Sequence, residues 1–224
     1  MAALKLIFGP GAAIALALSM SMAGESTRTS IYVGPTPAGR GAKPGDLAAV
    51  ADAVALSRKT ARLLSERHVS IAVFDLDEPE EERVARIGSR GGGVYIRVAC
   101  LRSPVERIRI RYPQMPPDVY RHLQGPIPAP GPAISEHIAV ERAKSGARLA
   151  RLMSERFLES LGVSAPVLEA SAGDYALDST AGTAVVVELG TGAAPGSGNL
   201  CLHDSAATAM SDAVEAFLAR PREQ

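Results

Sequence analysis

No sign of charge dominates this chain: 24 Lys and Arg balance 24 Asp and Glu across 224 residues, and no basic run stands out. The electrostatic footprint of a nucleic-acid binder is missing, so nucleic acid is not an expected partner. Beyond the N-terminal segment there is no apolar stretch long enough to cross a bilayer. Cysteine is scarce: Cys100 and Cys201 are the only two, and they either pair in an oxidising compartment or remain separate buried thiols. No serine has the Gly-x-Ser-x-Gly context of a nucleophile elbow. The glycine-rich stretch from Gly190 to Gly198, interrupted by Pro195, lacks dinucleotide or Walker spacing, so it reads as flexible loop. No internal repeat is visible.

What is present begins with Lys5 and an apolar stretch from Leu6 to Met22, broken early by Gly9, Pro10 and Gly11 and closed by the small residues around Ser21-Met22-Ala23. That pattern is expected of a secretory signal peptide over residues 1–23, which makes the mature chain secreted or periplasmic. A retained anchor is the alternative, although Gly24-Glu25-Ser26 supplies no basic stop-transfer flank. After a linker over 24–29, residues 30–220 are expected to form one α/β domain.

Along that domain, strands are expected at Ile31-Tyr32-Val33, Val69 to Phe74, Val94 to Cys100, Val105 to Tyr112 and Ala184 to Val187, with a short one opening at Val167-Leu168. Apolar residues at helical spacing mark Leu47 to Arg67, Ile134 to Leu161 and Ala206 to Leu218, and a shorter helix is expected over Glu80 to Ile87. Asp46 and Asp204 are placed to cap the first and last of these. Arg107, Arg109 and Arg111 interleave with Ile108, Ile110 and Tyr112, which suggests a wet basic face on an edge strand. Residues 113–132, dense in proline and glycine, are expected to be an irregular excursion. The alternation predicts a three-layer α/β fold, with a largely parallel sheet and helices on both faces.

The most informative local feature is Val185-Val186-Val187-Glu188-Leu189-Gly190. A continuous β-branched run reads as a strand buried on both faces, and such strands carry functional groups at their carboxyl ends. Glu188 is therefore the leading candidate for a functional carboxylate, with a solvated strand-end Glu as the alternative.

Thr183-Ala184-Val185-Val186-Val187-Glu188-Leu189-Gly190, preceded by Tyr175-Ala176-Leu177, resembles the last core strand of the zinc-dependent N-acetylmuramoyl-L-alanine amidases, as does the order of elements from about residue 30 to 219. Ser145-Gly146-Ala147-Arg148-Leu149-Ala150 is similar to the opening of a long family helix. The resemblance implies peptidoglycan as substrate, an amidase-like sheet, and Glu188 as general base on a zinc-bound water.

The family's metal ligands are not matched. The first family histidine falls at Pro37, the second ligand, a glutamate, at Ala49 with Asp46 and Asp52 nearest, and the third, a histidine, at Val98 within Ile96-Arg97-Val98-Ala99-Cys100. Catalytic zinc needs about three protein donors. None of the four histidines, His68, His122, His137 and His203, stands at a ligand position. No cofactor is then expected, or zinc only at a relocated site drawn from Cys100, His203, Asp204 and Asp52, with His137 a further group to check.

Three readings follow. In the first, the chain is an exported amidase-like domain, a pseudoenzyme, that binds peptidoglycan or a cell-wall protein. Alternatively it is an active amide hydrolase with an atypical site around Glu188. In the third reading it is an envelope interaction protein using Arg107, Arg109 and Arg111 on an acidic partner. A Ser179, His203, Asp204 triad is the weakest arrangement, since chance supplies as much.

Overall fold

The computed structural model describes residues 29–36, 44–67, 70–103, 107–115, 134–162, 165–192 and 204–219. The expected signal peptide and most of the linker and the proline-rich excursion lie outside those residues, as do Pro37, His68, His122, the loop after Gly192 with Cys201 and His203, and the Asp46 side chain.

The elements follow the order β1 (Ile31–Pro35), α1 (Pro44–Glu66), β2 (Ile71–Val73), α2 (Glu80–Ser89), β3 (Val94–Ser103), β4 (Ile108–Pro113), α3 (Ile134–Leu161), β5 (Val167–Ser171), α4 (Tyr175–Ser179), β6 (Thr183–Gly192) and α5 (Asp204–Ala219). They build one six-stranded sheet in the order β2-β1-β3-β6-β4-β5. The first four of these run parallel, and β4 joins β6 antiparallel while β5 runs parallel to β4. This is the expected α/β architecture.

Strand alternation sends successive side chains to opposite faces. One face, carrying Ile31, Val33, Ile96, Val98, Cys100, Ile110, Val185, Val187 and Leu189, packs against α1, α3 and α5 and holds the larger core. Those helices bury one stripe each, as on α1 with Ala49, Ala53, Leu56, Thr60 and Leu64. The other face carries Tyr32, Tyr95, Ala184 and Val186 and is covered by Phe74, by Ile87 of α2, and by Ala176 and Leu177 of α4. The Phe74 ring stacks on Tyr32 and meets Tyr95 edge-on, which fixes the geometry of this thinner layer.

The turn into β3 needs glycine. Gly92 has φ +89°, and a Cβ there would come within 2.0 Å of the Ala181 carbonyl oxygen.

One expectation needs correction. The strand with alternating arginines is β4, which holds Arg109 and Arg111 and begins after Arg107, and it lies between β6 and β5 instead of at an edge. The apolar patch Tyr175-Ala176-Leu177 forms a short helix, α4, capped by the Asp174 side chain accepting from the Ala176 amide.

Candidate functional site

Glu188 lies inside β6, in register with Ala99 of β3 on one side and Arg109 of β4 on the other. The expected strand end at Val187 is corrected, because β6 stays paired with β3 as far as Gly192, through the first residues of the expected glycine-rich loop. By alternation its side chain shares the face of Tyr95, Arg97, Ala99, Arg109 and Arg111, opposite the larger core. The carboxylate is nearly buried, with 13% of its side chain exposed.

Its partners are guanidiniums. Arg111 Nη2 lies 2.8 Å from Glu188 Oε1, and Arg109 Nη1 lies 3.8 Å from Oε2. Arg111 also reaches Asp174 Oδ2 at 3.1 Å, and Arg97 closes on the same oxygen. Arg97 Nη1 continues to Glu80 Oε2 at 3.9 Å, which Arg83 approaches at 3.7 Å. Arg109 Nε reaches Glu169 at 3.5 Å. Four arginines and four carboxylates thus alternate across β3, β6, β4 and β5, from α2 at one end to Glu169 at the other.

The inner end of this chain is the most rigidly specified. Arg83 is fully buried and donates to the carbonyls of Pro35 at 2.6 Å and Asp75 at 2.5 Å, fastening the ends of β1 and β2 together. Its guanidinium also lies over the Phe74 ring. Tyr95 donates from its hydroxyl to Glu80 Oε1 at 2.9 Å. Burial, and then the neighbouring Glu80 charge, push the Tyr95 phenol well above its ordinary range, so it stays a donor.

Of the other candidates, those among the described residues do not join Glu188, and His203 lies outside them. Val98, where the third family ligand was expected, is fully buried against the opposite helices, so the positions of β3 beside Glu188 are Arg97 and Ala99. Cys100 shares the face of Val98 and is disulfide-bonded, and Cys201 is the only other cysteine of the chain. Asp52 is half-buried on α1, and His137 is exposed on α3; both helices cover the face opposite Glu188. Asp204 opens α5 and pairs with Lys59. Ser179 ends α4 on the other side of the sheet from α5, which separates it from Asp204.

A zinc site does not fit the residues that surround Glu188. Arg97, Arg109 and Arg111 carry no lone pair for a metal and repel a divalent cation, while Ala99 offers nothing. Among the described residues no three His, Cys, Asp or Glu side chains converge to hold a metal ion.

Sequence reading missed Asp174, Arg97, Arg83 and Glu80. Arg97 was detectable, since one arginine inside the apolar run Val94 to Cys100 requires a buried acidic partner. Nothing in the sequence indicated which acid that would be.

No protein-family model matches the chain, and no curated protein matches it. Solved structures do. The N-acetylmuramoyl-L-alanine amidase from Clostridium difficile 630 is similar at a TM-score of 0.63 and 13% identity, covering 86% of this chain and 98% of that one. The catalytic domain of the amidase CwlV from Bacillus (Paenibacillus) polymyxa var. colistinus gives a TM-score of 0.62 at 10% identity, over 85% and 98% of the two chains. The amidase AmiC2 of Nostoc punctiforme gives 0.59 at 12% identity, over 86% and 98%. The chain has the fold of the N-acetylmuramoyl-L-alanine amidases.

Proposed function

We propose that this is an exported amidase-like domain that binds peptidoglycan, or regulates proteins acting on it, without zinc-dependent hydrolysis. The observation that carries the reading is the surrounding of Glu188. Both its oxygens face guanidiniums, Arg111 at 2.8 Å and Arg109 at 3.8 Å, in the place where a general base would face a metal-bound water. The fold supplies the cell-wall direction of the proposal, and the N-terminal apolar stretch supplies export. The disulfide at Cys100 agrees with maturation in an oxidising compartment. Among the described residues no helix is long and apolar enough to cross a membrane.

The test is a paired assay on purified, dye-labelled sacculi, scoring retention of the protein in the pellet and release of dye. Retention without dye release is expected, and Glu188→Gln should leave dye release at the same baseline. Zinc-dependent dye release that Glu188→Gln abolishes would replace this reading with an active amidase.

A further inference from the structure

We propose that the arginine face beside Glu188 is a receptor for the free carboxylate of a peptide, which in the cell wall is the carboxyl end of the peptide attached to the glycan. The inference rests on the cell-wall reading above and names the chemistry that its site would recognise.

β4 places Arg109 and Arg111 on one face at alternate positions, roughly 7 Å apart, and Arg107 immediately precedes the strand, where its carbonyl accepts from the Gly190 amide of β6. Their engagement differs along the strand. Arg111 is tied down by Glu188 and Asp174. Arg109 makes ion-pair contacts of only 3.5 and 3.8 Å, beyond ordinary hydrogen-bond length, and its side chain is 41% exposed. Arg107 is exposed and has no ion pair among the described residues. Among the described residues, the Arg107 guanidinium has no acceptor and that of Arg109 is only loosely held, so both have donors to offer an added carboxylate.

Two further features agree. Among the described residues, Arg83, Arg97, Arg109 and Arg111 are matched by Glu80, Asp174, Glu169 and Glu188, and the exposed Arg107 adds a positive charge beside them. Leu101 of β3 and Val167 of β5, 48% and 43% exposed, lie on the same face and offer apolar contact to the rest of a peptide. The planar guanidinium fork matches a carboxylate in two parallel hydrogen bonds, which orients the bound end as well as attracting it.

The experiment uses the full chain and two preparations of purified sacculi, one untreated and one with its carboxylates converted to amides by carbodiimide and ammonia. Untreated sacculi should retain the protein, and amidation should weaken retention about tenfold, the scale of a lost charge-assisted contact. Arg107→Gln and Arg109→Gln should each weaken it by a similar factor. Arg62→Gln, which removes the same charge from the exposed surface of α1, should not. The Arg107 side chain makes no ion pair or hydrogen bond among the described residues, and its backbone carbonyl, which accepts from the Gly190 amide, is unchanged by substitution, so its variant separates binding from folding. Equal retention on amidated and untreated sacculi, or arginine variants that bind like the parent, would overturn this inference and leave the cell-wall reading standing. Retention on neither preparation would overturn both.

Discussion

Glu188→Gln separates the two roles open to this carboxylate, because a structural ion pair and a general base respond differently to it. The substitution keeps shape and removes charge. In the structure it leaves Arg111 with Asp174 at 3.1 Å as its remaining anion, and weakens the hold on Arg109. Breaking a fully buried pair costs about 3–5 kcal/mol. Here Arg111 keeps a second partner and 21% of its side chain is exposed, so screening lowers the expected cost to about 1–2 kcal/mol. For a domain of this size that is a fall of roughly 2–8 °C in Tm, readable by calorimetry on the full chain. A double-mutant cycle with Arg111→Met isolates the pair: the double variant should be less destabilised than the sum of the singles. A Glu188→Gln protein with unchanged Tm, and singles that simply add, would refute the claim that Arg111 and Glu188 are coupled.

Other parts of the structure make their own predictions. Arg83→Met should be the most damaging single change in the network, costing about 3 kcal/mol or more because it leaves the Pro35 and Asp75 carbonyls without donors; urea unfolding measures it, and a loss below that of Glu188→Gln would contradict the account. Reducing the disulfide at Cys100 should destabilise strongly, by about 4–5 kcal/mol if it closes a loop of some hundred residues to Cys201; denatured, unreduced protein should show no free thiol by titration. The Tyr95 phenol titrates higher in the folded chain than in the unfolded one, so its contribution is complete below the ordinary tyrosine pKa of about 10 and is lost as pH rises above that. Tyr95→Phe should therefore flatten the alkaline limb of the stability curve, and an unchanged limb would count against a buried, Glu80-linked phenol.

The legibility of the sequence tracked the range of the interactions involved. α3 spans Ile134–Leu161 as its apolar spacing indicates, because buried Ala143, Leu149, Met153 and Phe157 repeat on one stripe. β6 was legible for a similar local reason: a Val run has few alternatives to a central strand. β4 was misplaced because alternation of arginine with isoleucine reports only that two faces differ, and an arginine held by an acid looks the same in sequence as one held by water. The acids concerned, Glu169, Asp174 and Glu188, come from three later segments that meet β4 only in the folded sheet. Glu188 itself was legible as the one carboxylate directly after the Val run, whereas its surroundings, and the continuation of β6 to Gly192 beside β3, depended on long-range pairings. Val98 shows a finer limit. A shift of one residue along a strand turns a side chain to the opposite face, and the expected ligand position faces the helices while its neighbours Arg97 and Ala99 flank Glu188.

The central claim is that the corner around Glu188 is built of guanidinium–carboxylate pairs that reject a divalent cation. Calorimetric titration of zinc into the full chain, purified without chelator and analysed for bound metal beforehand, tests it most directly. The account predicts no stoichiometric zinc before or after titration, and the same baseline for Glu188→Gln. One tightly held zinc per chain, lost in Glu188→Gln, would contradict it.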